Sequence, residues 1–286
     1  MRILVTGATG NVGREVVRAL GARGDVVVRA AASDVARVRD EHPPPVEAAR
    51  VDFTDARTWA EAVAGCDALF LLRPPAVADT KRTLVPFIDA ARAAGVGQVV
   101  FLSVAGADRM RWVPHVAVEE HLRARRGAWT ILRPGFFAQN LADAYRRDIV
   151  EEGRIYVPAG RGRVAWVDAR DLGEAAARVL VDAAPHRQNA YTLTGPEAVD
   201  FEAVARLLSA ALGRALFYEP ASALGYVLHL RRRRLPLGQI AVQLVLHLGL
   251  RNGDAEAVDP TLERLLGRRP RTVGEYVRDH RALFAR

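Results

Sequence analysis

Cysteine occurs once in the 286 residues, at Cys66, and lysine once, at Lys81. A lone thiol excludes an internal disulfide and any cysteine-based metal cluster. The histidines are scattered without ligand spacing, so no metal is expected. Long apolar runs are missing as well: the longest, such as Gln239 to Leu250, fall short of the roughly 20 residues a membrane span needs. No basic-then-apolar leader precedes the first apolar run, so a cytoplasmic protein without a membrane partner is expected. All but one of the 41 basic residues are arginine, and the net charge is +8. The arginines run through the whole chain alongside abundant alanine, which reads as a compositional bias and predicts no nucleic-acid partner. One cluster is dense, Arg231-Arg232-Arg233-Arg234; it suits a solvated helix end or loop, or a docking site for an acidic substrate or partner.

What is present is a strand–helix alternation with short connections, the mark of a parallel sheet covered on both faces. Short apolar runs predict strands at Ile3–Thr6, Val26–Ala31, Val46–Val51, Ala68–Leu72, Val99–Ser103 and Thr130–Leu132. Helical patterns lie between them at Val12–Ala22, Ser33–Glu41, Asp55–Ala64, Asp79–Ala94 and His115–Arg126, with Asp55 suited to an N-cap and Gly65 and Gly95 to C-caps. After Arg133-Pro134-Gly135 the rhythm changes. Helices are expected at Gln139–Glu152, Asp168–Asp182, Asp200–Leu212, Ala221–Leu230, Leu237–Leu250 and Thr272–Phe284, with extended pieces near Ile155–Val157 and Tyr191–Thr194. The expected class is therefore α/β: a Rossmann doubly wound parallel sheet over residues 1–135, with returns at about 164–195, and a smaller, mostly helical C-terminal cap lobe over 136–286.

The first strand leads into Thr6-Gly7-Ala8-Thr9-Gly10-Asn11-Val12-Gly13 and then an amphipathic helix. Glycines at 7, 10 and 13 permit a tight turn and close backbone approach, and the helix offers free N–H groups to a pyrophosphate. Strand before and helix after are the context that gives such a glycine triplet its meaning. Thr6, Gly7, Thr9, Gly10, Asn11, Val12 and Gly13 are thus expected to bind a dinucleotide. An acid at the end of the second strand would select NAD. Ala30-Ala31-Ala32 stand there instead, followed by Ser33 and, one turn on, Arg37, which favours NADP over NAD; Asp34 either caps the helix or competes for the ribose. Asp52 and Phe53 are placed to meet the adenine, or else form a capping acid beside a core ring. Leu72, Arg73, Ser103 and Pro134 follow at later strand ends.

Together with Arg133-Pro134-Gly135 and Leu193-Thr194-Gly195-Pro196-Glu197, this turn resembles the atypical extended short-chain dehydrogenase/reductases, more narrowly their NmrA-like group. That group includes NAD(P)H:quinone oxidoreductases and redox-sensing regulators. The resemblance runs to Leu266–Thr272 and implies strand order 3-2-1-4-5-6, a cofactor across the strand ends and a C-terminal lobe covering the substrate. Standard members use a Tyr-x-x-x-Lys pair, in which the lysine lowers the tyrosine pKa for proton transfer. No tyrosine stands four residues before Lys81, so the pair is absent.

At the equivalent place stand His115 and Glu119, on one helix face, with Ser103 at the preceding strand end. These three are the candidate catalytic residues, Glu119 being expected to orient the imidazole or raise its pKa; His115 as a mere helix-lining residue is the alternative. Hydride transfer needs chiefly positioning, and a quinone spreads its charge over the ring, so a site without the pair suits quinone-like or polycyclic aromatic acceptors. Phe136, Phe137, Gln139 and Asn140 are expected to line the substrate pocket, core packing being the other reading of the two Phe. Trp166 and Tyr226 are weaker candidates. The favoured function is an NAD(P)H-dependent reductase of such a substrate, as a monomer or homodimer. A non-catalytic NAD(P) sensor with a protein partner and a non-redox dehydratase or isomerase are the alternatives.

Overall fold

The computed structural model describes residues 1–110 and 112–285. From the start the chain runs β1 (Arg2–Thr6), α1 (Asn11–Gly21), β2 (Val27–Ala32), α2 (Val35–Glu41), β3 (Glu47–Arg50), α3 (Trp59–Val63), β4 (Ala68–Leu72), α4 (Leu84–Ala93) and β5 (Gln98–Leu102). It continues through α5 (His115–Ala124), β6 (Ala128–Pro134), α6 (Asn140–Asp143), β7 (Arg154–Val157), β8 (Arg163–Val164), α7 (Ala169–Val181) and β9 (Asn189–Leu193). The remainder is β10 (Val199–Asp200), α8 (Phe201–Leu212), β11 (Phe217–Pro220), α9 (Ala223–Arg232), α10 (Leu237–Arg251), α11 (Thr261–Leu266) and α12 (Val273–Asp279).

Contacts divide the chain into two units. The first, Met1–Pro134 with Ala169–Leu193 and Arg264–Gly267, holds a seven-stranded sheet in the order β3-β2-β1-β4-β5-β6-β9. Every neighbouring pair is parallel, as the unbroken apolar strands predict, and the order reverses between β1 and β4. The late extended segment supplies the seventh strand. Helix α1 buries Val12, Val16, Val17 and Leu20, a spacing that keeps them on one face, and each contributes about 1.5–3 kcal/mol of burial. It packs on α7, where Gly173 comes so close to Glu15 that an added Cβ would lie 2.6 Å from its carbonyl carbon. Leu69, Leu71, Val99 and Phe101 of the sheet form one core with Val63, Phe87 and Val118 of α3, α4 and α5.

Helix α4 starts at Leu84 rather than Asp79 because Pro86 is confined to a first turn, where its missing N–H costs nothing. Asp55 caps a short 3-10 turn that precedes α3. The predicted helix Gln139–Glu152 breaks after Asp143; a wider turn, Asp148–Glu152, closes on Gly153 at φ +68°.

The second unit, Gly135–Asp168 with Thr194–Glu263 and the chain from Arg268 onward, is mostly helical. It also carries two small sheets that the sequence pattern does not reveal: β7 with β11, parallel, and β8 with β10, antiparallel. Strands of two to four residues are too short to show a period. Its core holds Phe136, Trp166 and Phe201.

Candidate active site

Strand ends of the first unit carry the candidate groups. Past β1, Gly7 takes φ +62°, and a Cβ on Gly13 would sit 2.1 Å from the Gly7 carbonyl oxygen, so the turn closes only with glycine at 13. Ala8 N–H donates to the Ala31 carbonyl, and buried His42 donates from Nε2 to the Ala8 carbonyl, 2.9 Å. The turn is thereby pinned to β2 and to the end of α2. Helix α1 begins at Gly10 with no side-chain cap and no acid in its first turn. An eleven-residue helix start left open in this way, over a turn with no room for side chains, fits a pyrophosphate.

Thr6 stitches β1 to β4, its hydroxyl donating to the Phe70 carbonyl and accepting from Leu72 N–H. Thr9 is half-buried, Asn11 exposed and Val12 buried in the α1 face. Beside Gly7 lies the Leu72 side chain.

At the end of β2 Ser33 is exposed, and Asp34 is the N-cap of α2, accepting from Arg37 N–H. Arg37 and Arg14 converge here. Both donate to Glu41, at 2.7 Å and 2.9 Å, and both reach the Thr9 carbonyl. Burial acts to raise the Glu41 pKa, but hydrogen bonds from Arg37 and Arg14 and their charges hold it below the usual carboxylate value, so the trio carries one net positive charge. Arg14 is not legible in the sequence, because a lone arginine on an exposed helix face looks like any surface residue.

Of the pair Asp52 and Phe53, only the ring matches its plainer reading, as core. The Asp52 carboxylate accepts from the Thr54 hydroxyl and N–H, and Phe53 is core, edge-on to Phe87 at 5.1 Å. Asp52 contributes no helix cap, which falls to Asp55.

The catalytic trio needs correction. Glu119 does not serve His115. It is almost fully buried and accepts from Arg133 Nη2 and Nε at 2.6 Å and 3.0 Å, from Ser103 Oγ at 2.6 Å and from Arg123 at 2.9 Å. Burial pushes its pKa up, yet the hydrogen bonds and charge of Arg133 and the Ser103 bond bring it below the ordinary value. Four donors committed to one carboxylate make it a structural anchor, and Ser103 has spent its hydrogen there.

His115 is instead paired with Arg73, whose Nε lies 3.2 Å from the imidazole Nε2. A guanidinium can only donate, so Nε2 accepts and the ring proton sits on Nδ1, which is buried without a partner among the described residues. Burial first and the Arg73 charge second pull the His115 pKa down to about 4, against a smaller opposite pull from Glu119. The expected rise is reversed: this imidazole is neutral at pH 7. Arg73 is fixed further by the carbonyls of Pro74, Pro75 and Val77. Pro134, buried at the end of β6, accepts from Ala105 N–H.

Residues 7–167 match the model of a family described as NAD(P)H-binding. The chain belongs to that family. Along 99% of its length, and 99% of the relative's, it is 32% identical to an NAD(P)H azoreductase of Xenophilus azovorans. Among solved structures, a triphenylmethane reductase of Citrobacter sp. complexed with NADP(H) has TM-score 0.87 at 24% identity, covering 98% of this chain and 99% of the other. The NADPH-dependent quinone oxidoreductase QOR2 of Escherichia coli, complexed with NADPH, has TM-score 0.86 at 26% identity, covering 97% and 98%. The expected cofactor class, the doubly wound fold and the reductase kinship all stand on this footing.

In the second unit Phe136 is core rather than pocket lining: it packs edge-on against Trp166 at 5.0 Å. Phe137 is half-buried and bridges by backbone to Val167, Gln139 donates to Asp168, and Asn140 opens α6. Trp166 and Tyr226 are buried as well. Near them, Tyr145 donates to His247 Nε2 at 2.5 Å, while His247 Nδ1 donates to the Gln243 carbonyl and Tyr226 to its side chain. Asp148, Glu152 and His229 offer atoms within 4.8 Å of one another, a spacing that would suit a metal. Arg233 already fills the cation's place, hydrogen-bonded to both carboxylates. The arginine run is therefore not wholly solvated: Arg233 is turned in, and Arg231, Arg232 and Arg234 are exposed.

Proposed function

We propose that this NAD(P)H-binding oxidoreductase uses NADPH to reduce a flat, conjugated acceptor of the quinone or azo class. The observation that carries the reading is the neutral, Arg73-locked His115 at the strand ends, in a chain without the Tyr-x-x-x-Lys pair. An imidazole with a pKa near 4 is not an imidazolium at pH 7 and keeps its one ring proton on the buried Nδ1, and Glu119 is an ionised anchor. General acid catalysis of an alkoxide, worth about 10²- to 10⁴-fold, is thus not provided by either group. Acceptors whose reduced anion is stabilised by its own ring need it least. Arg73 keeps a permanent charge at this edge, positioned to favour developing negative charge on such an acceptor.

In this reading Gly7, Thr9, Gly10, Asn11, Val12 and Gly13 hold the pyrophosphate, with Leu72, Arg73, Ser103 and Pro134 bordering the remainder of the cofactor. The bound nicotinamide supplies the hydride. Ser33, Arg37 and Arg14 hold the 2′-phosphate; two guanidinium groups against one carboxylate leave charge for it, and the Citrobacter and Escherichia coli proteins bind NADP(H) and NADPH.

Loss of NADPH absorbance tests the acceptor directly. Benzoquinone, a naphthoquinone and an azo dye should be reduced, whereas an unactivated ketone should be reduced at least about 10²-fold more slowly; comparable rates with the ketone would sink the reading. For the cofactor, Arg14→Ala and Arg37→Ala should each weaken NADPH binding about tenfold, with NADH binding unchanged. Equal losses for both cofactors would remove the 2′-phosphate assignment.

A further inference from the structure

From residue 221 to residue 253 the chain has no acidic residue, but five arginines, at 231 to 234 and at 251. Most of the stretch is the helix pair α9 and α10, which pack on each other and are tied by the Tyr226–Gln243 hydrogen bond. Each helix buries one side, Tyr226 and Leu230 on α9 and Ile240, His247 and Leu250 on α10. The opposite sides are apolar too, and they are bare. On α9, Leu224 is 70% exposed and Leu228, four residues on, 46%. On α10, Leu237 is 68% exposed, Val242 66%, Val245 55% and Leu246 44%. Val242, Val245 and Leu246 share a face by helical spacing, Gly238 continues it, and the Asp254 carboxylate, lying against Gly249, ends it.

Exposed apolar side chains in one contiguous segment signal an interaction surface. The charges around them identify the partner. Arg231 and Arg232 follow Leu228 by three and four positions on α9, and Arg234, exposed in the turn that follows, leads to Leu237. Arg233 differs in being spent on Asp148 and Glu152. An apolar stripe edged by three exposed arginines, with no acid in the segment, is the make-up of a helix that lies in a membrane interface and meets anionic headgroups. A second copy of the chain would bring the same arginines toward each other with no carboxylate from these helices to receive them.

We propose that the exposed side of α9 and α10 docks on an anionic lipid surface, the apolar residues entering the headgroup boundary and Arg231, Arg232 and Arg234 contacting lipid phosphates. This proposal departs from the expectation of no membrane partner. Among the described residues no helix is long and apolar enough to cross a bilayer, and lying on one requires no such length. Docking of this kind is independent of the choice of redox acceptor.

Flotation of the whole protein with vesicles of phosphatidylcholine and phosphatidylglycerol, against phosphatidylcholine alone, tests it. The protein should float with the anionic vesicles, remain behind with the neutral ones, and be released as salt shortens the screening length. Arg231→Gln/Arg232→Gln/Arg234→Gln should cut vesicle binding about a hundredfold, roughly fivefold for each arginine. Val242→Glu/Leu246→Glu should abolish it, with NADPH binding kept in both variants. No flotation with anionic vesicles overturns the proposal. So does binding that the arginine variant leaves intact, or a dimer in sedimentation velocity that Val242→Glu/Leu246→Glu dissociates without vesicle binding. Were the glutamate variant to misfold, the arginine variant, altered only at exposed positions, would still decide.

Discussion

Glu119→Ala is expected to lower the stability of the first unit by about 3–5 kcal/mol, the usual cost of stranding one partner of a buried ion pair. Glu119 and Arg133 have side-chain exposures of 2% and 11% and meet through two parallel hydrogen bonds. Removal of the carboxylate would leave Arg133 with the half-exposed Asp108 at 3.3 Å, and Ser103 without an acceptor. Urea unfolding of the variant measures the loss. Replacing both partners together, Glu119→Leu with Arg133→Met, should recover much of it, since no uncompensated charge then remains. The anchor role separates from a catalytic one by its readout. Under conditions where Glu119→Gln is folded, the pH profile of kcat should match the parent. A variant within about 1 kcal/mol of parent stability but with kcat down by more than about 10²-fold would make Glu119 a participant in chemistry instead.

The residues that are legible in the sequence act through near neighbours. Gly7, Gly10 and Gly13 lie in one turn, and the requirement for glycine at 13 comes from a carbonyl six residues away. The strands of the sheet are buried on both faces, so each announces itself by composition alone. His115 is legible as a position but not in its protonation state, which is set by burial and then by Arg73, 42 residues earlier. Those two meet only because β4 and β5 are neighbours in a parallel sheet. Helical spacing matches Glu119 with His115, a sound local inference that loses to Arg133 on β6. Four residues of separation offer a pairing worth about 0.2–0.5 kcal/mol on a helix surface, far less than a buried bidentate arginine. Arg14 and Arg233 show the converse difficulty. In a chain with this many arginines, nothing local distinguishes one that turns toward Glu41 or Asp148 from one that faces water.

Acid should weaken this protein before most of its carboxylates titrate. His115 and His247 are both buried and neutral, their pKa values brought from 6.5 down to about 4 by burial, with the Arg73 charge adding to it at His115 and the Gln243 backbone opposing it at His247. For a depressed histidine the unfolded chain binds the extra proton, so stability is intact above pH 6.5 and declines as pH falls toward 4. Each histidine contributes a slope of about 1.4 kcal/mol per pH unit in that window, and about 3 kcal/mol in total. That is a large share of the roughly 5–15 kcal/mol that holds a domain together. Glu119, held below its ordinary 4.5, adds its own loss only at lower pH. His115 belongs to the first unit and His247 to the second, so each unit carries one acid-sensitive group and neither is spared. Urea midpoints followed from pH 7 toward pH 5 should therefore fall in both units. His115→Phe, beside the Phe101 ring at 6.0 Å, should flatten the slope of the first unit and leave that of the second unchanged. A parent protein whose stability is constant from pH 6.5 to pH 5 would mean that both imidazoles reach water or a carboxylate when charged, and the neutral, Arg73-locked state of His115 would fall with it.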